Sequence, residues 1–75
     1  MTVQIVPVGI LRPRFPVGDP IIAPLAGRSV LQLLAAYGVE ADLVAMVLIN
    51  GRLAGKDAVL NDGDIVKLVP FVGGG

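Results

Sequence analysis

The stretch Ser29-Val30-Leu31-Gln32-Leu33-Leu34-Ala35-Ala36-Tyr37-Gly38 decides the fold, because the hydrophobic period of the chain changes there. Val30, Leu33, Leu34 and Tyr37 fall at i, i+3, i+4 and i+7, the spacing that gathers apolar side chains on one face of a helix. Ser29 stands where an N-cap belongs, and Gln32 three residues on completes a capping box. Gly38 follows the last periodic residue, where a left-handed C-cap is wanted. Both flanks read as strands. Upstream, Thr2 to Leu11 is rich in β-branched residues, with Pro7 marking a bulge or an open side, and Ile21 to Leu25 forms a second, shorter strand interrupted by Pro24. Between them, Arg12 to Pro20 carries Pro13, Pro16, Gly18 and Pro20 and reads as an ordered loop. Downstream, Ala45 to Ile49 reads as a buried strand, and Asn50-Gly51 suits a two-residue hairpin returning through Arg52 to Ala54. Asn61-Asp62-Gly63-Asp64 is a tight turn, after which Ile65 to Phe71 is the last strand. One helix with strands on both sides predicts an α+β domain whose mixed sheet packs one face on that helix.

Composition narrows the function. The 75 residues have room for one core, and they are 55% hydrophobic and 16% charged. Without cysteine or histidine there is no thiolate nucleophile, no imidazole base and no ordinary zinc or haem site. Six basic residues balance six acidic ones, so no polybasic surface exists and nucleic acid is not an expected partner. The longest apolar run, Leu43 to Ile49, is far short of the roughly 20 residues of a membrane span. Met1 to Leu11 lacks a basic leader and is broken by Pro7 and Gly9, so a signal peptide is not expected either. The absence of cysteine fits a reducing, cytoplasmic setting.

Few side chains invite chemistry. Asp62 and Asp64 flank Gly63, but the further ligands of a calcium loop are missing, and the pair is better explained as holding the turn. Ser29 has no base to activate it and is accounted for as a cap. Arg12, Arg14 and Arg28 either hold an anion or are scattered charges of a solvated loop. On the last strand, alternation that turns Val66 and Leu68 inward turns Ile65, Lys67, Val69 and Phe71 outward. Either this makes an apolar stripe for a partner, or Pro70 redirects Phe71 into the core. The chain then closes on Gly73, Gly74 and Gly75, which belong to no packed element. They are either a passive flexible tail or a segment without Cβ atoms able to thread a narrow channel. From Val72 to Gly75 the extended reach is roughly 13 Å, and the terminal carboxylate is ionised at neutral pH.

Three stretches together resemble the MoaD/ThiS family of ubiquitin-like sulfur carriers. They are Val47-Leu48-Ile49-Asn50-Gly51, Leu60-Asn61-Asp62-Gly63-Asp64-Ile65-Val66 and Pro70-Phe71-Val72-Gly73-Gly74. Val3-Gln4-Ile5, Gly9-Ile10-Leu11-Arg12 and the helix from Ser29 also fit, and Arg14 to Ala26 fits least. The resemblance implies a ubiquitin-like β-grasp over residues 1–72 with a flexible glycine tail at 73–75. It implies a co-substrate rather than an enzyme. An E1-like adenylyltransferase, using ATP and magnesium, would adenylate the terminal carboxylate, and sulfur from a persulfide donor would replace AMP to leave a thiocarboxylate. The acceptor would be Gly75, or Gly74 if the chain is trimmed. Gly73 and Gly74 would thread the partner's channel, Phe71 and Val72 would dock in it, and Ile65 and Val69 would extend the contact. The carrier itself would hold no cofactor or metal.

The sequence departs from the family's terminal diglycine by one further glycine, which advances the carboxyl by about 3.3–3.6 Å. Gly9 to Arg12 and the long loop after it resemble the molybdopterin type, whose sulfur acceptor is the large subunit of molybdopterin synthase. Thiazole synthase of thiamin formation is the other candidate acceptor. A ubiquitin-like modifier joined to lysines and a passive β-grasp module remain as alternatives.

Overall fold

The computed structural model describes residues 1–71, and the expectations placed on Val72, Gly73, Gly74 and Gly75 lie outside those residues. Five strands form one mixed sheet: β1 (Val3–Pro7), β2 (Ile21–Ala23), β3 (Val44–Ile49), β4 (Arg52–Ala54) and β5 (Ile65–Pro70), in the order β2-β1-β5-β3-β4. Only the pairing of β1 with β5 is parallel; the other neighbours are antiparallel. The helix α1 (Val30–Ala36) crosses one face. This is the expected α+β, ubiquitin-like β-grasp arrangement.

The helix has the punctuation its sequence calls for. Gln32 N–H donates to Ser29 Oγ at 3.1 Å, and Ser29 N–H donates to Gln32 Oε1 at 2.8 Å, closing the capping box. At the other end Gly38 takes φ +68°. Its N–H donates to the carbonyl of Ala35 at 3.1 Å and that of Val39 to the carbonyl of Leu34 at 2.9 Å, a Schellman ending that also buries Val39. Val30, Leu33 and Leu34 then meet Val3 and Ile5 of β1, Val44 and Val47 of β3, and Val66 and Leu68 of β5 in one buried cluster. Leu60 completes it from the segment before the last turn.

Several boundaries differ from the expectations, among them the end of β2, which falls at Ala23 before Pro24 rather than at Leu25. The opening strand does not run to Leu11: it stops at Pro7, and Gly9–Arg14 forms a 3-10 turn. Gln4 N–H donates to the carbonyl of Asp64, just ahead of β5, and Val8 N–H to that of Leu68 within it, so by alternation the Pro7 nitrogen faces the other side, where pairing with β2 has already ended at Ile5. The 3-10 turn buries Leu11, and just after it Phe15 is buried with its ring centroid 5.0 Å from that of Tyr37. The ordered loop expected over Arg12 to Pro20 is thus anchored in its first half by Leu11 and Phe15, while Pro16 to Pro20 are exposed. β3 begins at Val44 and is half-buried: a bulge between Val44 and Met46 lets both Val44 and Val47 face the core while Ala45 and Met46 stay exposed. A short 3-10 turn, Ala41–Leu43, precedes it. The last strand ends at Pro70, leaving Phe71 beyond the ladder.

Alternation on β5 yields a paired test. Leu68 is fully buried whereas Ile65 is 44% exposed. Leu68→Ala is expected to lower unfolding free energy by about 2–5 kcal/mol, and Ile65→Ala by less than about 1 kcal/mol, in urea titrations followed by circular dichroism. Equal losses would mean that the strand faces have been misassigned.

Candidate functional site: the open face of the sheet and the end of its central strand

The sheet has helix on one face only, so its other face is left to solvent or to a partner. The residues on that face follow from register, because partners directly across a ladder point the same way. Along β5 they are Ile65, Lys67 and Val69, as expected from alternation. Val69 stands opposite Met46, Lys67 lies between Val6 and Leu48, and Ile65 is opposite Gln4. Leu48 in turn pairs with Leu53 of β4. The result is a broad apolar surface in which Met46 is 41% and Leu53 74% exposed. Phe71, just past the end of the strand, is 63% exposed, so Pro70 does not redirect that ring into the core. Patches of this kind on small domains mark interaction sites.

Of the predicted partner-binding residues, Ile65 and Val69 thus share the open face, and Phe71 is exposed just beyond the end of their strand. Gly73, Gly74, Gly75 and Val72 lie outside the described residues. The sequence reading missed Val6, Met46, Leu48 and Leu53, whose outward direction depends on which strands are neighbours.

Both ends of β5 are held. At its start, Asp64 Oδ2 accepts from Asn61 N–H at 2.8 Å and Oδ1 accepts from the Asn50 side-chain amide at 2.9 Å. The Asn50 side-chain oxygen accepts from Ile65 N–H at 2.9 Å. Asn50 and Gly51 both have positive φ, 54° and 82°, which is the type I′ hairpin geometry. One side chain of that hairpin therefore fastens the turn before β5. Asp62 Oδ1 accepts from Thr2 N–H at 2.8 Å. Asp64 thus holds the turn as expected, whereas Asp62 ties the start of the chain to it, 3.9 Å from the terminal ammonium; among the described residues there is no cluster of three metal-ligating side chains. At the far end of β5, Pro70 packs beside Gly9: a Cβ built on Gly9, whose φ is +59°, would lie 3.6 Å from Pro70 Cγ. Arg12, Arg14 and Arg28 form no joint site; Arg12 alone lines a groove, beside Val6, Pro7 and Asp19. No helix among the described residues is long and apolar enough to cross a membrane.

A ubiquitin-like β-grasp with an apolar open face leading to the end of its central strand defines the class of protein. The model of the ThiS family matches residues 10–75, and the chain belongs to that family. Among solved structures, SAMP1 from Haloferax volcanii is similar at a TM-score of 0.71 and 20% identity, covering 100% of both chains. The ubiquitin of Caldiarchaeum subterraneum is similar at a TM-score of 0.59 and 21% identity, covering 100% of this chain and 98% of that one. At such identities the likeness is one of fold. A search of the curated proteins finds no match.

The clamp at the head of β5 can be tested directly. Asp64→Ala leaves both the Asn61 amide and the Asn50 side chain without their acceptor, and is expected to lower stability by about 1–3 kcal/mol. Amide hydrogen exchange should accelerate at Asn61 and Ile65 before it does at Val47. Unchanged stability and exchange would show that the clamp contributes nothing.

Proposed function

We propose that this chain is a sulfur carrier whose reactive group is its main-chain terminal carboxylate. The observation that carries this reading is the largely apolar open face, with Ile65 and Val69 on either side of Lys67 along β5 and exposed Phe71 next after the strand, directly ahead of the glycine-rich end of a ThiS-family chain. The composition agrees: with no cysteine and no histidine, the side chains offer neither a thiolate nor an imidazole, and a carrier needs neither.

The chemistry proposed is a two-stage activation at partner enzymes. A carboxylate oxygen of Gly75 attacks the α-phosphorus of ATP, pyrophosphate leaves, and an acyl-adenylate forms, with the magnesium and the ATP held by an E1-like adenylyltransferase. The terminal sulfur of a persulfide donor then attacks the acyl carbon and AMP leaves. A thiol cleaves the resulting acyl disulfide to the thiocarboxylate, itself becoming a disulfide. In this scheme the folded domain docks by its open face, Phe71 and Val72 enter the partner, and Gly73 and Gly74 pass a channel too narrow for side chains. Ordering each freed residue costs about 1–2 kcal/mol, which the docked face offsets by its buried apolar area.

The recipient we propose is the large subunit of a molybdopterin or tungstopterin synthase. The reading is supported by the connection between β1 and β2, a 3-10 turn followed by a proline-rich segment in place of a tight turn. Thiazole synthase is the alternative recipient, and use of the same carboxyl to modify lysines is the alternative fate.

Pyrophosphate exchange tests the proposal. With the E1-like enzyme of the same organism, ATP and magnesium, addition of the full chain should start exchange between labelled pyrophosphate and ATP. Deleting Gly74 and Gly75 should abolish it. Phe71→Ser, at an exposed position, should raise KM by about tenfold while leaving the melting temperature within a few degrees. Exchange that persists after the deletion would refute the terminal carboxylate as acceptor.

A further inference from the structure

Lys67 stands in the middle of the open face, and its neighbours are almost all apolar. Val6 and Leu48 flank it across the two ladders, Ile65 and Val69 lie two residues away on its own strand, and Leu53 stands beyond Leu48. Its side chain is exposed, and among the described residues it has no ion-pair or hydrogen-bond partner. The other cations near this face are differently placed. Arg12 lines its groove together with Asp19, so that rim carries both signs, and Lys56 Nζ donates to the carbonyl of Ala41 at 2.7 Å. Asp62 accepts from Thr2 N–H, and Asp64 from Asn61 N–H and the Asn50 side-chain amide. Lys67 is therefore a cation without an ion pair at the centre of a largely apolar surface, on a molecule whose net charge is zero.

We propose that Lys67 determines specificity: the face accepts a partner surface that is apolar but presents a carboxylate opposite this ammonium, and it rejects one that is apolar throughout. This rests on the sulfur-carrier reading and names the chemistry of its activating partner. An apolar surface laid over Lys67 would strip its hydration and return nothing, leaving an unpaired charge in a low-dielectric contact. A carboxylate at the same place supplies a charge-assisted hydrogen bond, while the aliphatic stem of the lysine packs with Leu48 and Val6. With no overall charge to steer the approach, this local charge sets the electrostatic part of recognition. Isologous pairing of two copies through this face is opposed by the same group, since pairing about its centre brings two ammoniums toward one another as both lose water.

The test uses the same exchange assay with the full chain as varied substrate, comparing wild type with K67E, K67M and K67R. For K67E the expected rise in KM is about tenfold or more, for K67R it is less than about threefold, and the rate at saturation should be unchanged in each. The wild-type KM should rise with sodium chloride concentration while that of K67M stays flat. A K67E KM within about twofold of wild type, or a wild-type KM insensitive to salt, overturns the proposal and leaves the sulfur-carrier reading intact. If the wild type supports no exchange at all, that reading fails and this one with it. Sedimentation velocity of the free chain covers the remaining occupant. A dimer dispersed by K67E would assign the face to a second copy and overturn the proposal.

Discussion

The rest of the structure depends on β5 lying between β1 and β3. Once it is there, strict alternation forces two jobs on one strand: Val66 and Leu68 close the core against the helix while Ile65, Lys67 and Val69 look the other way. A one-residue slip would exchange the two sets, placing a lysine under the helix and two core residues in water. Register is accordingly fixed at both ends. The Asn50–Asp64–Asn61 hydrogen bonds hold the start of the strand, and toward its finish Val8 N–H donates to the carbonyl of Leu68. Because the chain leaves the sheet at this strand, the same constraint sets which face accompanies its exit.

That arrangement explains how so apolar a composition serves a small domain with no disulfide. Part of the aliphatic content makes one core around Val30, Leu33 and Leu34. The remainder is not surplus: it covers the face opposite the helix, where Met46, Leu48, Leu53 and Val69 gather across three strands. Histidine and cysteine are absent from the sequence, so chemistry carried by the main chain is consistent with everything the folded domain presents.

What could be read from sequence was local. The capping box, the Schellman glycine, the Asn-Gly hairpin and the Asp-Gly-Asp turn each depend on residues within a few positions of one another. The outward side of β5 was legible for the same reason, since it needs only the period of a strand. The extent of the face was not. Val6 belongs to it because β1 runs parallel to β5, a long-range pairing with no local signature. The 3-10 turn Gly9–Arg14 escaped notice because its β-branched lead-in reads as strand; the burial of Leu11 and the meeting of Phe15 with Tyr37 decide the matter from elsewhere in the chain. The bulge at Ala45 was hidden likewise, in a run of apolar residues whose alternation slips.

The most direct test of the central claim is intact and C-terminal-peptide mass spectrometry of the full chain after incubation with its E1-like enzyme, ATP, magnesium, a persulfide donor and a thiol. The account predicts the mass increase of one oxygen-for-sulfur exchange, located on the terminal glycine and lost on omission of ATP. A chain unchanged in mass under these conditions would contradict it, as would a terminal carboxyl recovered in an isopeptide bond to lysine with no thiocarboxylate formed.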